Sequence, residues 1–89
     1  MTARVIPLHE PVIISQFWRN RSGEAIRIEL REYKGIALVD VRVFQTNVEG
    51  KLAPTQKGFS CSVRCLPNLA KGFAKALARA IDIGLIDEF

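Results

Sequence analysis

The chain contains 89 residues, of which 48% are hydrophobic and 25% are charged. This length suits one domain with a modest core, and the composition excludes an intrinsically disordered chain. No apolar run approaches the roughly 18 residues of a membrane-spanning helix, and the N-terminal sequence lacks the pattern of a secretory signal peptide. We therefore expect a cytoplasmic protein without a membrane partner.

The net charge of +4 is unevenly distributed along the chain. Residues 1–65 contain ten Lys and Arg residues against six acidic residues, whereas residues 66–89 contain three of each sign. A basic surface outside the C-terminal segment fits a polyanionic partner such as nucleic acid. The alternative is a solvated surface that happens to be basic.

The first part of the chain predicts an arm and two strands. Residues 1–11 show no hydrophobic periodicity, and we expect them to form a flexible arm ahead of a single domain over residues 12–89. Residues 12–18 are apolar and β-branched, as in a strand, and residues 20–23 are a turn signal. Residues 26–31 alternate between apolar and charged side chains, which is typical of a half-buried strand.

Two further strands follow a tight turn at Lys34-Gly35, where glycine can adopt a positive φ. Residues 39–44 alternate between valine and polar or aromatic side chains, and residues 59–63 alternate in a fourth strand. Residues 54–58 are expected to be irregular, and the proline at their start belongs in a loop or on an edge strand.

The hydrophobic period changes after the fourth strand. Apolar residues recur at helical spacing from Leu66 to Ile81, and Pro67 suits the first helical turn. The opposite, wet side of this helix carries Lys71, Lys75 and Arg79. The order of elements predicts an α+β fold, a four-stranded antiparallel curved sheet followed by one C-terminal helix.

The helix and the residues after it, up to Phe89, are apolar on more sides than one small sheet can cover. Large exposed apolar surfaces mark interfaces, so we expect a homodimer that forms through the C-terminal helix. The alternative is that the helix crosses back over its own sheet.

The sequence offers no catalytic or metal-binding constellation. The one histidine, His9, lies in the predicted arm, and Cys61 and Cys65 have no second Cys/His pair to complete a zinc site. On an extended strand these cysteines would lie about 13 Å apart, which is too far for a disulfide. No phosphate-binding glycine loop, nucleophile elbow or pair of catalytic carboxylates is present. We expect neither an enzyme nor a bound cofactor.

Cations and aromatic residues interleave in the predicted strands. Proteins bind single strands with cations that follow the phosphates and with rings on which bases stack. The candidate rings are Phe17, Trp18, Tyr33 and Phe44. The candidate cations are Arg19, Arg21, Arg27, Arg31, Lys34, Arg42 and Lys57. Arg42 and Phe44 share a strand face opposite the valines, which is an open surface if the valines meet the helix. Ordinary packing is the alternative, and we favour it for Phe17 and Phe59.

Four segments closely resemble, in order and spacing, the C-terminal domain of transcriptional positive cofactor four, and above all the short prokaryotic members of that family. The segments are Phe17-Trp-Arg-Asn-Arg-Ser-Gly-Glu-Ala-Ile26, Arg31-Glu-Tyr-Lys-Gly35, Leu38-Val-Asp-Val-Arg42 and Glu49-Gly-Lys-Leu-Ala-Pro-Thr-Gln-Lys-Gly58. The resemblance covers about residues 13–80.

The resemblance implies a dimer of four-stranded sheets, held by the C-terminal helices, that binds single-stranded or melted DNA with little sequence preference. In that family the aromatic-Lys-Gly turn, the strand arginine and the lysine after the proline loop lie at the DNA-binding surface. The corresponding residues are Tyr33, Lys34, Arg42 and Lys57, with Trp18, Arg19 and Arg21 from the first hairpin.

The chain departs from the family pattern at three positions. Ile36 and Gln56 stand where the family often has a cation, and Gln45 stands where it commonly has an aromatic residue. Each lost phosphate contact changes the salt dependence of log K on single strands by roughly 0.7. We therefore expect the same surface with weaker binding.

Two functions remain open at this point. The first is a transcription-related, coactivator-like regulator that binds single-stranded DNA as a homodimer. The second is a dimeric protein-interaction adaptor on the same fold. RNA binding is a variant of the first, since stacking and phosphate contacts do not by themselves distinguish the two sugars.

Overall fold

The computed structural model describes residues 10–87, so His9 and most of the predicted arm lie outside the described residues. One open antiparallel sheet has its strands in chain order, and one helix follows. The elements are β1 (Val12–Trp18), β2 (Glu24–Tyr33), β3 (Ile36–Thr46), β4 (Leu52–Ser62), a 3-10 turn (Val63–Cys65) and α1 (Leu66–Asp82). The predicted α+β fold is confirmed.

The β2–β3 hairpin closes in two residues, because Tyr33 pairs directly with Ile36. Lys34 and Gly35 between them both have positive φ values, 50° and 79°. Two left-handed residues give a turn whose twist matches that of the flanking strands. Glycine adopts this conformation without strain, whereas lysine does so less readily.

Strand alternation sorts the side chains of β2 and β3 into two faces. Val39, Val41 and Val43 share one face with Ile26 and Ile28, and we call this the valine face. The opposite face, which we call the polar face, is built on these two strands by Ala25, Arg27, Glu29, Arg31, Tyr33, Ile36, Leu38, Asp40, Arg42 and Phe44. The buried apolar side chains of the described chain come from both faces: Ala25, Val39, Val43 and Phe44.

Residues 54–58 belong to β4, which corrects the prediction of an irregular segment outside the strands. The strand is nevertheless irregular there. Phe44 pairs with Pro54 and Arg42 pairs with Gly58, so three residues of β4 lie opposite one residue of β3 in a bulge. Gly58 has a φ of 144°, and a Cβ there would overlap the Val41 carbonyl oxygen and lie 2.7 Å from the Arg42 Cα. Only glycine fits this close approach. The placement of Pro54 on an edge strand is confirmed.

Helix α1 begins where predicted, with Pro67 in its first turn, and none of its 17 residues is buried. Within residues 10–87 its packing contacts are mainly with the 3-10 turn. The helix therefore does not cross back over its own sheet, and the valine face is not covered by it. Phe73 and Leu77 of its apolar side remain exposed. Among residues 10–87 the structure contains no helix with the length and hydropathy of a membrane span.

The 3-10 turn brings the two cysteines together. Burial raises the pKa of the Cys61 thiol, and a hydrogen bond with the Cys65 thiol acts in the same direction. The extended separation of about 13 Å expected from strand geometry is therefore wrong, because the chain leaves the strand after Ser62. Both cysteines are free thiols.

Candidate nucleic-acid interface

Two aromatic rings stand exposed on the polar face. Tyr33 is 62% exposed at the end of β2, and the Lys34 ammonium lies 5.3 Å from the centroid of its ring. Trp18 is 64% exposed at the end of β1 and pairs with Ala25, which places it on the same face. Tyr33 follows Ala25 by eight positions along β2, so the two rings are about 26 Å apart along the strand at the usual rise per residue.

Arg42 is held in the polar face by three hydrogen bonds. Its Nε and Nη2 donate to the two carboxylate oxygens of Asp40 at 3.1 and 2.8 Å, and its Nη1 donates to the Thr55 carbonyl at 3.1 Å. Thr55 lies in the β4 bulge. The Ser60 hydroxyl donates a further hydrogen bond to Asp40. Two parallel hydrogen bonds to one carboxylate fix the plane of a guanidinium, so the Arg42 guanidinium has a fixed orientation.

Asp40 is the buried anion of this arrangement, with 2% of its surface exposed. Burial alone would raise the pKa of Asp40, but the hydrogen bonds from Arg42 and Ser60 and the nearby arginine charges hold it below the ordinary carboxyl value. The hydrogen bond to Asp40 correspondingly raises the pKa of Arg42. Both groups are therefore charged, and together they carry little net charge. Because residues two apart on a strand share a face, the sequence could have indicated that Asp40 and Arg42 lie side by side.

Phe44 lies on the polar face as predicted, but the expectation that it is exposed there is wrong. The ring is only 6% exposed, and the Arg27 guanidinium lies 3.9 Å from its centroid. Arg27 is itself held by Gln16, whose side-chain oxygen accepts from Nε at 2.6 Å. A base could stack on Phe44 only after Arg27 had moved. Stacking on Phe44 therefore remains a prediction that this geometry does not favour.

Lys57 and Arg19 lie near Glu24, whereas Arg42 is paired with Asp40. The Lys57 ammonium lies 3.9 Å from one carboxylate oxygen of Glu24, and the Arg19 Nε lies 3.8 Å from the other. Asn20 donates to the same carboxylate at 2.7 Å. Glu24 is the first residue of β2 and pairs with Gln45, which places it on the valine face. The sequence did not single out Glu24, which joins the first hairpin to the β4 bulge.

The remaining predicted cations are solvent-facing. Arg21 is exposed in the β1–β2 turn. Arg31 lies on the polar face, with its Nη1 4.0 Å from Glu29. Lys34 is exposed at the hairpin tip. These three side chains can reach a polyanion without breaking a close ion pair.

A depression of about 550 Å³ lies between the tip of β2 and the β4 bulge. It is lined by residues that include Tyr33, Arg42, Asp40, Ser60 and the bulge residue Gln56. It combines one exposed aromatic surface with fixed hydrogen-bonding groups. No cluster of three or more metal-ligating side chains occurs among residues 10–87.

Comparison with known proteins identifies the family. Residues 20–71 match the family model described as Transcriptional Coactivator p15 (PC4). The chain belongs to the PC4 family. The match spans β2, β3, β4 and the first turns of α1, so it includes the Tyr33-Lys34-Gly35 turn, Arg42 and Lys57. The predicted resemblance is confirmed.

Solved structures agree with the PC4 assignment. A PC4 homolog from Burkholderia pseudomallei K96243, in an orthorhombic crystal form, aligns with a TM-score of 0.68 and 27% identity, over 80% of this chain and 95% of that one. A tetragonal form of the same homolog aligns with a TM-score of 0.66 and 28% identity, over 75% and 97%. A comparison with curated protein sequences gives no significant match.

Proposed function

We propose that this PC4-family chain binds single-stranded or melted DNA with little sequence preference and acts as a transcription-related regulator. The observation that carries the proposal is the pair of exposed rings on the polar face, Trp18 and Tyr33. Exposed aromatic rings on a basic surface suit the stacking of unpaired bases, which every base can provide. The family description, a transcriptional coactivator, supports the same function. We place this activity in the cytoplasm, at the nucleoid.

The cations around the two rings support phosphate binding along the same path. Lys34 lies beside Tyr33 at one end, and Arg21 lies in the turn that follows Trp18 at the other. Arg31 is between them on the polar face. Because these side chains are solvent-facing, their charges are available to a polyanion, and salt should weaken the complex. Arg19 and Lys57 also have exposed side chains, but both lie near Glu24, which offsets part of their positive charge.

We further propose that the protein acts as a homodimer. The apolar side of α1, with Phe73 and Leu77, has no cover within the described chain, and Ile83, Leu85 and Ile86 after the helix are also exposed. A second copy of the chain would bury this surface against an identical one, as in the two-fold interfaces that most homo-oligomers use.

The same uncovered apolar surface supports a second candidate function, a protein-interaction adaptor. In that case the rings and cations of the polar face would have no role in binding nucleic acid. RNA is the alternative ligand of the first function, because stacking and phosphate contacts do not by themselves distinguish a ribose from a deoxyribose.

The test is a set of fluorescence-anisotropy titrations with single-stranded DNA, duplex DNA and RNA of one sequence, at low and moderate salt. We expect single strands to bind best and the affinity to fall as salt rises. Trp18→Ala and Tyr33→Ala should each weaken binding about fivefold or more, since stacking contributes roughly 1–3 kcal/mol per base.

Phe17→Ala is the matched control for these ring variants. Phe17 is the half-exposed neighbour of Trp18 in β1 but pairs with Ile26 on the valine face. Its truncation should leave the affinity for single strands unchanged. Absence of binding to any oligonucleotide at low salt would exclude this function and favour the adaptor. A preference for RNA over DNA would reassign the ligand.

A further inference from the structure

We infer that the depression between Tyr33, Arg42 and the β4 bulge accepts one unstacked base and prefers guanine, so that an otherwise unspecific surface contains one base-selective position. This inference rests on the proposed function, because it assumes that a single strand lies on the polar face. It assigns Arg42 to a base edge rather than to a phosphate.

The charges around the depression argue against a phosphate. Four charged side chains line it, two cations and two acids: Arg31, Arg42, Glu32 and Asp40. The Arg42 charge is also matched directly by the buried carboxylate of Asp40 at 2.8 Å. A dianionic or monoanionic group entering this site would meet little net positive charge, and the acids would repel it. A neutral base carries no such penalty.

The donors of Arg42 argue for a base with two neighbouring acceptors. Asp40 and the Thr55 carbonyl take three N–H groups of the guanidinium. A guanidinium has five, so one N–H on each terminal nitrogen remains for a ligand. Guanine presents O6 and N7 side by side, and the two-pronged contact of arginine with these atoms is the commonest specific contact to a base.

The walls of the depression suit the flat surface of a purine. Its volume of about 550 Å³ lies within the usual range of small-molecule sites. Tyr33 supplies an exposed ring at one side, and Pro54 and Leu38 supply apolar contacts. Cytosine also has two neighbouring acceptors, N3 and O2, but its single ring offers less area for stacking on Tyr33.

Preorganisation makes the contact selective. Arg42 is held by hydrogen bonds to Asp40, which itself accepts from Ser60, and to the Thr55 carbonyl in the β4 bulge. A ligand that uses this fork therefore does not have to immobilise a flexible side chain, and a base that cannot use it leaves polar groups poorly paired. Asp40 is thus a positioning residue for the base contact.

The test uses thymine oligonucleotides of about 12 nucleotides that carry one central guanine, adenine, cytosine or thymine. Anisotropy titrations with the full chain should show the guanine probe binding about fivefold or more tightly than the all-thymine probe, which corresponds to the lower end of discrimination by one arginine–guanine contact. Equal affinity for all four probes, or a preference for cytosine, would overturn the inference while leaving single-strand binding intact.

Two variants separate base reading from general affinity. Arg42→Lys keeps a positive charge but loses the two-pronged fork, so it should abolish the guanine preference, measured as the ratio of the affinities for the guanine and all-thymine probes. Tyr33→Phe keeps the ring and should retain the preference. A guanine preference that survives Arg42→Lys, in a variant shown by circular dichroism to be folded, would contradict the assignment.

Lys34→Asn is the control for loss of charge. It should weaken all four probes by the same factor and leave the guanine preference unchanged. A complete failure of the all-thymine probe to bind the wild-type chain would overturn the proposed function, and the base site with it, which distinguishes that outcome from a failure of selectivity alone.

Discussion

The guanidinium of Arg27 lies 3.9 Å from the centroid of the buried Phe44 ring, one strand away on the polar face. The two residues stabilise each other, because a cation over a ring face is attracted to it and the arginine stem also covers the ring. The pair is therefore part of the fold at the place where the sequence predicted a stacking platform.

Arg27→Ala should lower the free energy of unfolding by about 1–2 kcal/mol, through lost cation–π attraction and lost packing. The measurement is urea denaturation followed by circular dichroism. Arg21→Ala is the matched control, since Arg21 is exposed in a turn, and it should leave stability within about 0.5 kcal/mol. Equal stability of the two variants would show that the contact between Arg27 and the Phe44 ring does not stabilise the fold.

Asp40 should make the fold sensitive to acid. Its pKa is lowered in the folded chain, so its contribution to stability is complete above the ordinary carboxyl pKa of about 4 and is lost as the pH falls through the lowered value. Asp40→Asn should lower the free energy of unfolding at pH 7 by about 2–3 kcal/mol. It should also flatten the fall in stability below pH 4, measured by urea denaturation at several pH values.

Glu29 is a useful comparison for Asp40, since it is also a buried acid of the polar face. Glu29→Gln tests whether any buried acid on this face causes the acid sensitivity. We expect the slope of stability against pH below pH 4 to change more in Asp40→Asn than in Glu29→Gln. The reverse order would assign the sensitivity to Glu29.

Gly58→Ala should destabilise the fold by about 3 kcal/mol, because a Cβ would overlap the Val41 carbonyl and because alanine is strained at positive φ. Thermal unfolding measures the effect. Gly72→Ala is the contrasting substitution. Gly72 lies inside α1 with nothing within 4 Å of the added methyl, so the change should raise stability by up to about 1 kcal/mol. A tolerated Gly58→Ala would mean that the bulge can relax.

Lys34→Asn should separate the charge of the hairpin tip from its shape. Asparagine tolerates the left-handed conformation found at Lys34, so the turn should stay intact and the melting temperature should not fall. Affinity for single strands should decrease, and the slope of log K against log salt should fall by about 0.7. Lys51→Asn removes the same charge from the β3–β4 turn, outside the proposed path, and should change the slope less.

Leu77→Glu should convert the proposed homodimer into a monomer, because it places a charge on the uncovered apolar side of α1. Light scattering coupled to gel filtration should then report half the wild-type mass. Lys75→Glu changes an exposed residue of the same helix and should leave the mass unchanged. A wild-type chain that already runs as a monomer would contradict the proposed dimer.

Local sequence patterns predicted the elements of the fold well. The β-branched run predicted β1 with its observed ends, Val12 and Trp18, and the change of period at residue 66 predicted the start of α1. Both follow from backbone geometry within a short window. The β4 strand was predicted too short, because Pro54 normally interrupts strands and the sequence did not reveal that a bulge would accommodate it.

The candidate site was less predictable, because it depends on contacts between distant residues. Alternation placed Arg42 and Phe44 on one face, which the strand register confirms. It could not show that Arg27 would cover Phe44, nor that the carboxylates of Asp40 and Glu24 would hold predicted cations. Strand order and register decide such pairs, and a single sequence specifies them only weakly.

The small number of buried apolar side chains in residues 10–87 links the stability of this chain to its surroundings. Within this range only Ala25, Val39, Val43 and Phe44 are buried apolar side chains, and they are divided between the two faces of the sheet, while large apolar groups of the sheet and helix are exposed. A molecule that covers those groups buries apolar area that the isolated chain leaves exposed. Its binding therefore also stabilises the folded state. By mass action, the temperature at which the protein unfolds should rise with the concentration of that molecule, and dilution alone should weaken the fold.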